Sequence, residues 1–104
     1  SALSSSQTMN DNQVAPATLI PFPFALYPHA IVEYSIVRNG EYRTGTIQIA
    51  SNSSSASDND LFVETSATGI TLSADIVGAN VEVRYTSSST GFSGTFKYIL
   101  KKWM

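Results

Sequence analysis

A hydrolytic site needs a base, a nucleophile and usually an acid to orient the base. This chain offers one histidine, His29, directly after Pro28. Serines are abundant, but none sits in a Gly-x-Ser-x-Gly elbow. His29 is therefore read as a structural or surface residue, and a hydrolase would have to depend on it. The acids are Asp11, Glu33, Glu41, Asp58, Asp60, Glu64, Asp75 and Glu82. A glycosidase needs two of them facing each other across a cleft, roughly 5–10 Å apart, and a small all-β domain seldom has such a cleft. Asp58-Asn59-Asp60 is the one dense acidic spot, with oxygen atoms suited to calcium. It lacks the glycine and the distal glutamate of an EF-hand loop and reads as solvated polar chain. Gly91-Phe92-Ser93-Gly94 has no phosphate-loop lysine and no helix to follow it. Cysteine is absent, which removes thiol nucleophiles, zinc–thiolate sites and disulfides. The expectation is no catalytic residue, no metal and no cofactor.

Aromatic side chains are the remaining functional signal. Trp103, Phe92 and Tyr42 fall near loops or the chain end. Flat rings stack on sugars and anchor protein interfaces. Tyr42 and Phe92 are the candidate receptor contacts. Phe22, Phe24, Ile31, Ile99 and Trp103 are the candidate subunit contacts. Lys101 and Lys102 beside Trp103 do not make a basic face in a chain of net charge −2. Nucleic acid is thereby excluded as a general partner, and so is electrostatic attraction to anionic lipid.

The elements that must position these residues are strands. Ile31–Arg38 and Tyr42–Ile49 read as strands and flank Asn39-Gly40. Asn-Gly accepts the positive φ of a type I′ turn, so a tight hairpin is expected there. Leu61–Thr65, Ile70–Asp75, Val81–Thr86 and Thr95–Trp103 read as further strands. Ala17–Leu26 carries Pro21 and Pro23, which suit an edge strand or an extended segment across the core. Residues 50–60 are rich in Ser, Asn and Asp and read as a mobile surface loop. Residues 1–15 read as a flexible N-terminal linker, with residues 16–104 forming the domain. The expected core stripe is Tyr34, Ile36, Ile47, Ile49, Val63, Ile70, Leu72, Val81, Val83, Tyr85, Phe96, Tyr98 and Leu100. Ile31, Val37 and Ile99 fall on the opposite faces of their strands, so the outer face is expected to be partly covered.

Composition agrees with this reading. The chain has 104 residues, the size of one domain. It is 42% hydrophobic and 13% charged, about half the usual charged share. Ser and Thr make up about a quarter of it. No stretch carries apolar residues at helical spacing. No apolar run approaches the roughly 18 residues of a membrane-spanning helix. The start at Ser1 suggests a fragment or a processed product. The fold expected is all-β, an antiparallel β-sandwich of seven to eight strands, jelly-roll-like or immunoglobulin-like, with no significant helix.

Several of these segments resemble a recurring module of tailed-bacteriophage virion proteins. The pattern begins with a Tyr-x-Ile-x-Arg … Arg-x-Gly-x-Ile hairpin, matched by Tyr34, Ile36, Arg38, Arg43, Gly45 and Ile47. A Gly-Ile-Thr strand follows at Gly69 and Ile70. A Tyr-Thr-x-x-x-Thr-Gly segment comes next, at Tyr85, Thr86, Thr90 and Gly91. A Gly-Thr-x-Lys-Tyr strand closes it at Gly94, Lys97 and Tyr98. An upstream Asn-x-Gln … Pro element is matched by Asn12, Gln13 and Pro16. The likeness covers residues 10–103, apart from the serine-rich stretch 51–57.

The resemblance implies a C-terminal β-sandwich of a tail fibre, tailspike or related appendage. It implies a place in the virion and self-association as a homotrimer or with other virion proteins. It implies work by assembly and host-surface attachment, with a host glycan as one candidate contact and no catalysis. A non-catalytic carbohydrate-binding module of a secreted protein is the alternative.

Overall fold

The computed structural model describes residues 4–104. Eight strands account for most of them: β1 (Ser5–Met9), β2 (Ala17–Pro23), β3 (His29–Arg38), β4 (Glu41–Ser51), β5 (Ala56–Glu64), β6 (Ile70–Val77), β7 (Asn80–Ser87) and β8 (Gly94–Trp103). No helix occurs among the described residues. One sheet has the order β1-β8-β3-β4-β5 and the other β2-β7-β6, and every pairing is antiparallel. The two sheets form a β-sandwich. The first strand neighbours the last and the second the next to last, as in a jelly roll, whereas β3, β4 and β5 follow one another as a meander in the larger sheet.

Local chemistry explains the hairpins. Asn39 and Gly40 both have positive φ, 51° and 74°, as a type I′ turn requires. That turn sets the β3–β4 register, with Arg38 opposite Glu41 and Tyr34 opposite Gly45. Alternation then sends Val32, Tyr34, Ile36, Ile47 and Ile49 to the interior. Phe96 on β8 is fully buried between the rings of Tyr34 and Tyr98, at centroid distances of 5.5 and 5.3 Å. From the smaller sheet, Leu72, Val81, Val83 and Tyr85 meet this layer. Tyr98 and Leu100 are only partly buried. Pro21 and Pro23 lie on β2, an edge strand, as their missing N–H groups require. A register shift between Thr18 and Ile20 lets the consecutive residues Leu19 and Ile20 both face the core.

Three expectations are corrected. The polar N-terminal segment is not wholly a linker. Its residues 5–9 form β1 on the edge of the larger sheet, and Met9 is completely buried. The stretch 50–60 is not one loop. β4 runs to Ser51, β5 starts at Ala56, and a short turn joins them in which the Asn52 side chain accepts the N–H groups of Ser54 and Ser55. Val63 is not core but 73% exposed. On β5 the inward positions belong to Asp58, Asp60, Phe62 and Glu64, so Leu61 and Val63 face outward. An apolar triplet cannot announce its own phase, and one residue of register reverses every side chain.

Candidate functional site

Two interior polar clusters and the outer face of the larger sheet hold the residues of interest. The first cluster is built on Arg38, the last residue of β3, whose side chain is almost fully buried. Its Nε donates to the Phe92 carbonyl (2.9 Å) and its Nη1 to the Thr68 carbonyl (2.8 Å). Its Nη2 donates to Asp11 Oδ1 (2.6 Å) and to the Ser88 carbonyl (2.7 Å). Asp11 also accepts the backbone N–H groups of Thr90 (2.8 Å) and Gly91 (3.0 Å). Asn10 and Gln13 tie the same segment to β7 through Tyr85 and Ser87. One guanidinium thus fastens three loops at one end of the sandwich.

The second cluster is built on Arg43 of β4, 2% exposed. It donates to Tyr34 Oη (3.1 Å), the Ile70 carbonyl (2.7 Å) and Asp60 Oδ2 (2.6 Å). The Tyr34 hydroxyl donates to Asp60 Oδ1 at 2.6 Å. Phe62 covers the guanidinium face at 3.5 Å. Gly45 makes room for this arrangement, because a Cβ there would lie 2.6 Å from Tyr34 Oη and 2.8 Å from the Phe62 Cβ. Burial, helped by the bond to Asp60, raises the Tyr34 phenol well above its ordinary value. Neither arginine makes an exposed pair with Glu33, Glu41 or Glu82. Their partners are Asp11 and Asp60, with Glu64 at 3.8 Å from Arg43. The signal was present in the alternation: Arg38 is in phase with Tyr34 and Ile36, and Arg43 with Ile47 and Ile49.

The gaps between the sheets are closed by side chains from edge strands. Asp58 on β5 accepts the Ala74 backbone N–H of β6 at 3.0 Å. Glu64 accepts the N–H (3.2 Å) and hydroxyl (2.6 Å) of Thr68. On the opposite side the Gln7 amide of β1 donates to the Leu19 carbonyl of β2. Inward-pointing polar groups of this kind discourage foreign strands from adding to an edge. Asp58 and Asp60 are thereby occupied in framework contacts. Among the described residues no group of three or more His, Asp or Glu is placed to hold a metal ion.

Asp11 carries a pH dependence. The N–H of Thr90 holds its carboxyl below the usual value, helped by Gly91 and Arg38 and opposed by desolvation. A depressed folded pKa gives stability that is present above the unfolded value, about 3.9, and is lost as pH falls through the folded one. Thermal stability is therefore expected to fall as pH drops below about 4. Asp11→Asn is expected to lower stability at neutral pH and flatten that acid limb. An unchanged acid limb in Asp11→Asn, read by melting at a series of pH values, would show that other carboxylates set it.

The outer face of the larger sheet holds most of the remaining candidates. His29 is exposed and stacks on Trp103, with centroids 5.8 Å apart and planes at 21°. Beside them runs an open groove of about 370 Å³, bordered by Ile31, Gln48, Ala50 and Asn59. Lys101 pairs with Glu33 at 3.0 Å. Ile31 and Ile99 are half-buried, while Trp103 is 46% and Tyr42 57% exposed. Phe92 is also exposed, in the loop that Arg38 holds. One subunit candidate is corrected. Phe22 is 3% exposed within the core, opposite Val81, after the β2 register shift that brings Ile20 inward. Phe24 is partly buried against the core, as Ile31 and Ile99 are half-buried. No protein-family model matches the chain, and no curated protein matches it significantly.

Proposed function

We propose that this domain is a non-catalytic structural module of a bacteriophage virion appendage, acting in assembly and host-surface attachment. The carrying observation is the uncovered apolar surface at β5. Leu61, Phe62 and Val63 are 60%, 45% and 73% exposed on an edge strand. Leu61 and Val63 continue onto an outer face that also carries Val37, Tyr42 and Ile99, while Phe62 faces inward over Arg43. Such a patch suits a neighbouring subunit, and apolar area buried there stabilises the contact by about 25 cal/mol per Å². The interior arginines hold the loops at the far end, so surfaces are presented from a firm frame. The motif residues that resemble virion modules include Arg38, Thr90 and Gly91 of the first cluster and Tyr34, Arg43, Gly45 and Ile70 of the second.

A carbohydrate-binding module is the second reading, favoured by the exposed His29–Trp103 stack. Solution mass over a concentration series tests the first. A species near three times the 11.2 kDa chain mass is expected, and Val63→Lys is expected to dissociate it. A strict monomer at high concentration would remove self-assembly and leave attachment to another virion protein or to a sugar.

A further inference from the structure

We infer that the groove beside Trp103 binds one unit of a neutral saccharide. This deepens the attachment part of the reading above and rests on it. Strand register lays the site out as two rows on the outer face. One row runs Trp103, His29, Ala50, Ser57 across β8, β3, β4 and β5. The next, two residues along each strand, runs Lys101, Ile31, Gln48, Asn59. The aromatic wall therefore stands at one end and hydrogen-bonding groups toward the other, with Gln48 two strand spacings from Trp103, about 10 Å, and Ser57 and Asn59 three, about 14 Å. Ile31 and Ala50 form an apolar floor between them. A pyranose has the matching character, with a C–H face for a ring or an aliphatic floor and a rim of hydroxyls for amides.

The polar groups also select the class of sugar. Gln48, Ser57 and Asn59 are exposed and carry no charge. Lys101 is neutralised by Glu33. The Asp58 carboxylate is engaged with the Ala74 N–H. Lys102 lies over the Tyr27 ring, 4.8 Å from its centroid. The groove thus offers donors and acceptors but no unpaired cation to hold a carboxylate or phosphate, and a neutral hexose or N-acetylhexosamine fits best.

Trp103 is the sole tryptophan, so its fluorescence reports from the site itself. The 104-residue protein is titrated with glucose, galactose, mannose, N-acetylglucosamine and their short oligomers. A saturable change in emission with a millimolar-to-micromolar constant is expected for at least one. Calorimetry of Trp103→Ala is expected to show at least a tenfold loss, and Asn59→Ala a severalfold loss, both with unchanged melting temperature. Tyr42→Ala, at the far end of the same face, is expected to bind normally. No change with any sugar up to about 50 mM, well beyond a millimolar constant, would overturn the site. So would equal binding by Trp103→Ala. Loss of iodide quenching of Trp103 as subunits associate would also overturn it, by making the groove a subunit contact. Solution mass is read independently, so a trimer that ignores sugars removes only the site, and a sugar-binding monomer removes only self-assembly.

Discussion

Replacing Arg38 with alanine is expected to destabilise the domain by about 3–5 kcal/mol, the range for removing one partner of a buried ion pair. The side chain makes four hydrogen bonds, to Asp11 and to the carbonyls of Thr68, Ser88 and Phe92. Alanine leaves those acceptors without their donor, and the three loops lose a common anchor. For a domain of this size the melting temperature should fall by roughly 20 °C. Arg38→Lys should recover little, because one ammonium cannot reproduce a planar fork aimed at four acceptors. A melting temperature within about 4 °C of the wild type, equivalent to under about 1 kcal/mol, would mean that water or the loops replace the guanidinium easily. The acid limb set by Asp11 should also shrink in Arg38→Ala while persisting in part, since Thr90 and Gly91 still donate to that carboxylate.

Arg43→Met should cost a similar amount, about 3–5 kcal/mol, by another route. Volume is nearly kept, but Asp60 and the Ile70 carbonyl lose their donor, and the Tyr34 hydroxyl loses one neighbour. The bridge between β4 and the start of β6 opens. The second substitution is the informative one. Combining Arg43→Met with Asp60→Leu removes both charges and should be less damaging than the sum of the singles, with coupling of about 0.5–3 kcal/mol. Urea midpoints at constant slope measure this. Strict additivity would show that the pair acts as two separate polar residues and that the sheets are joined chiefly by apolar packing.

Both experiments concern groups that the sequence exposes but does not explain. The β3–β4 hairpin was legible because its causes are local: alternation on either side of Asn39-Gly40, and a turn that only such residues enter without strain. The β6, β7 and β8 strands and most of the core stripe were legible for the same reason. His29 is set apart from catalysis in the sequence by its lack of companions, and in the structure it stacks on the ring of Trp103. The edge character of β2 was written in its two prolines.

Other features depend on contacts distant in the chain. Ser5–Met9 has no strong pattern of its own and becomes a strand because β8 offers an open edge and the core has room for Met9. Ala56–Asp60 looks like a loop by composition. It is a strand because Asp58 finds a backbone N–H across the sandwich and Asp60 the guanidinium of Arg43 on the neighbouring β4. Val63 and Phe22 changed places with expectation, since neither an apolar triplet nor a bulge reveals which side of the sheet is wet. By itself the sequence determined an antiparallel β-sandwich with a tight central hairpin, because turn chemistry and period-two alternation act between near neighbours. Only the tertiary structure decided which sheet each strand joins, which charges are buried and which outer surface is left open, because desolvated ion pairs and edge closure exist only once residues far apart in the chain are brought together.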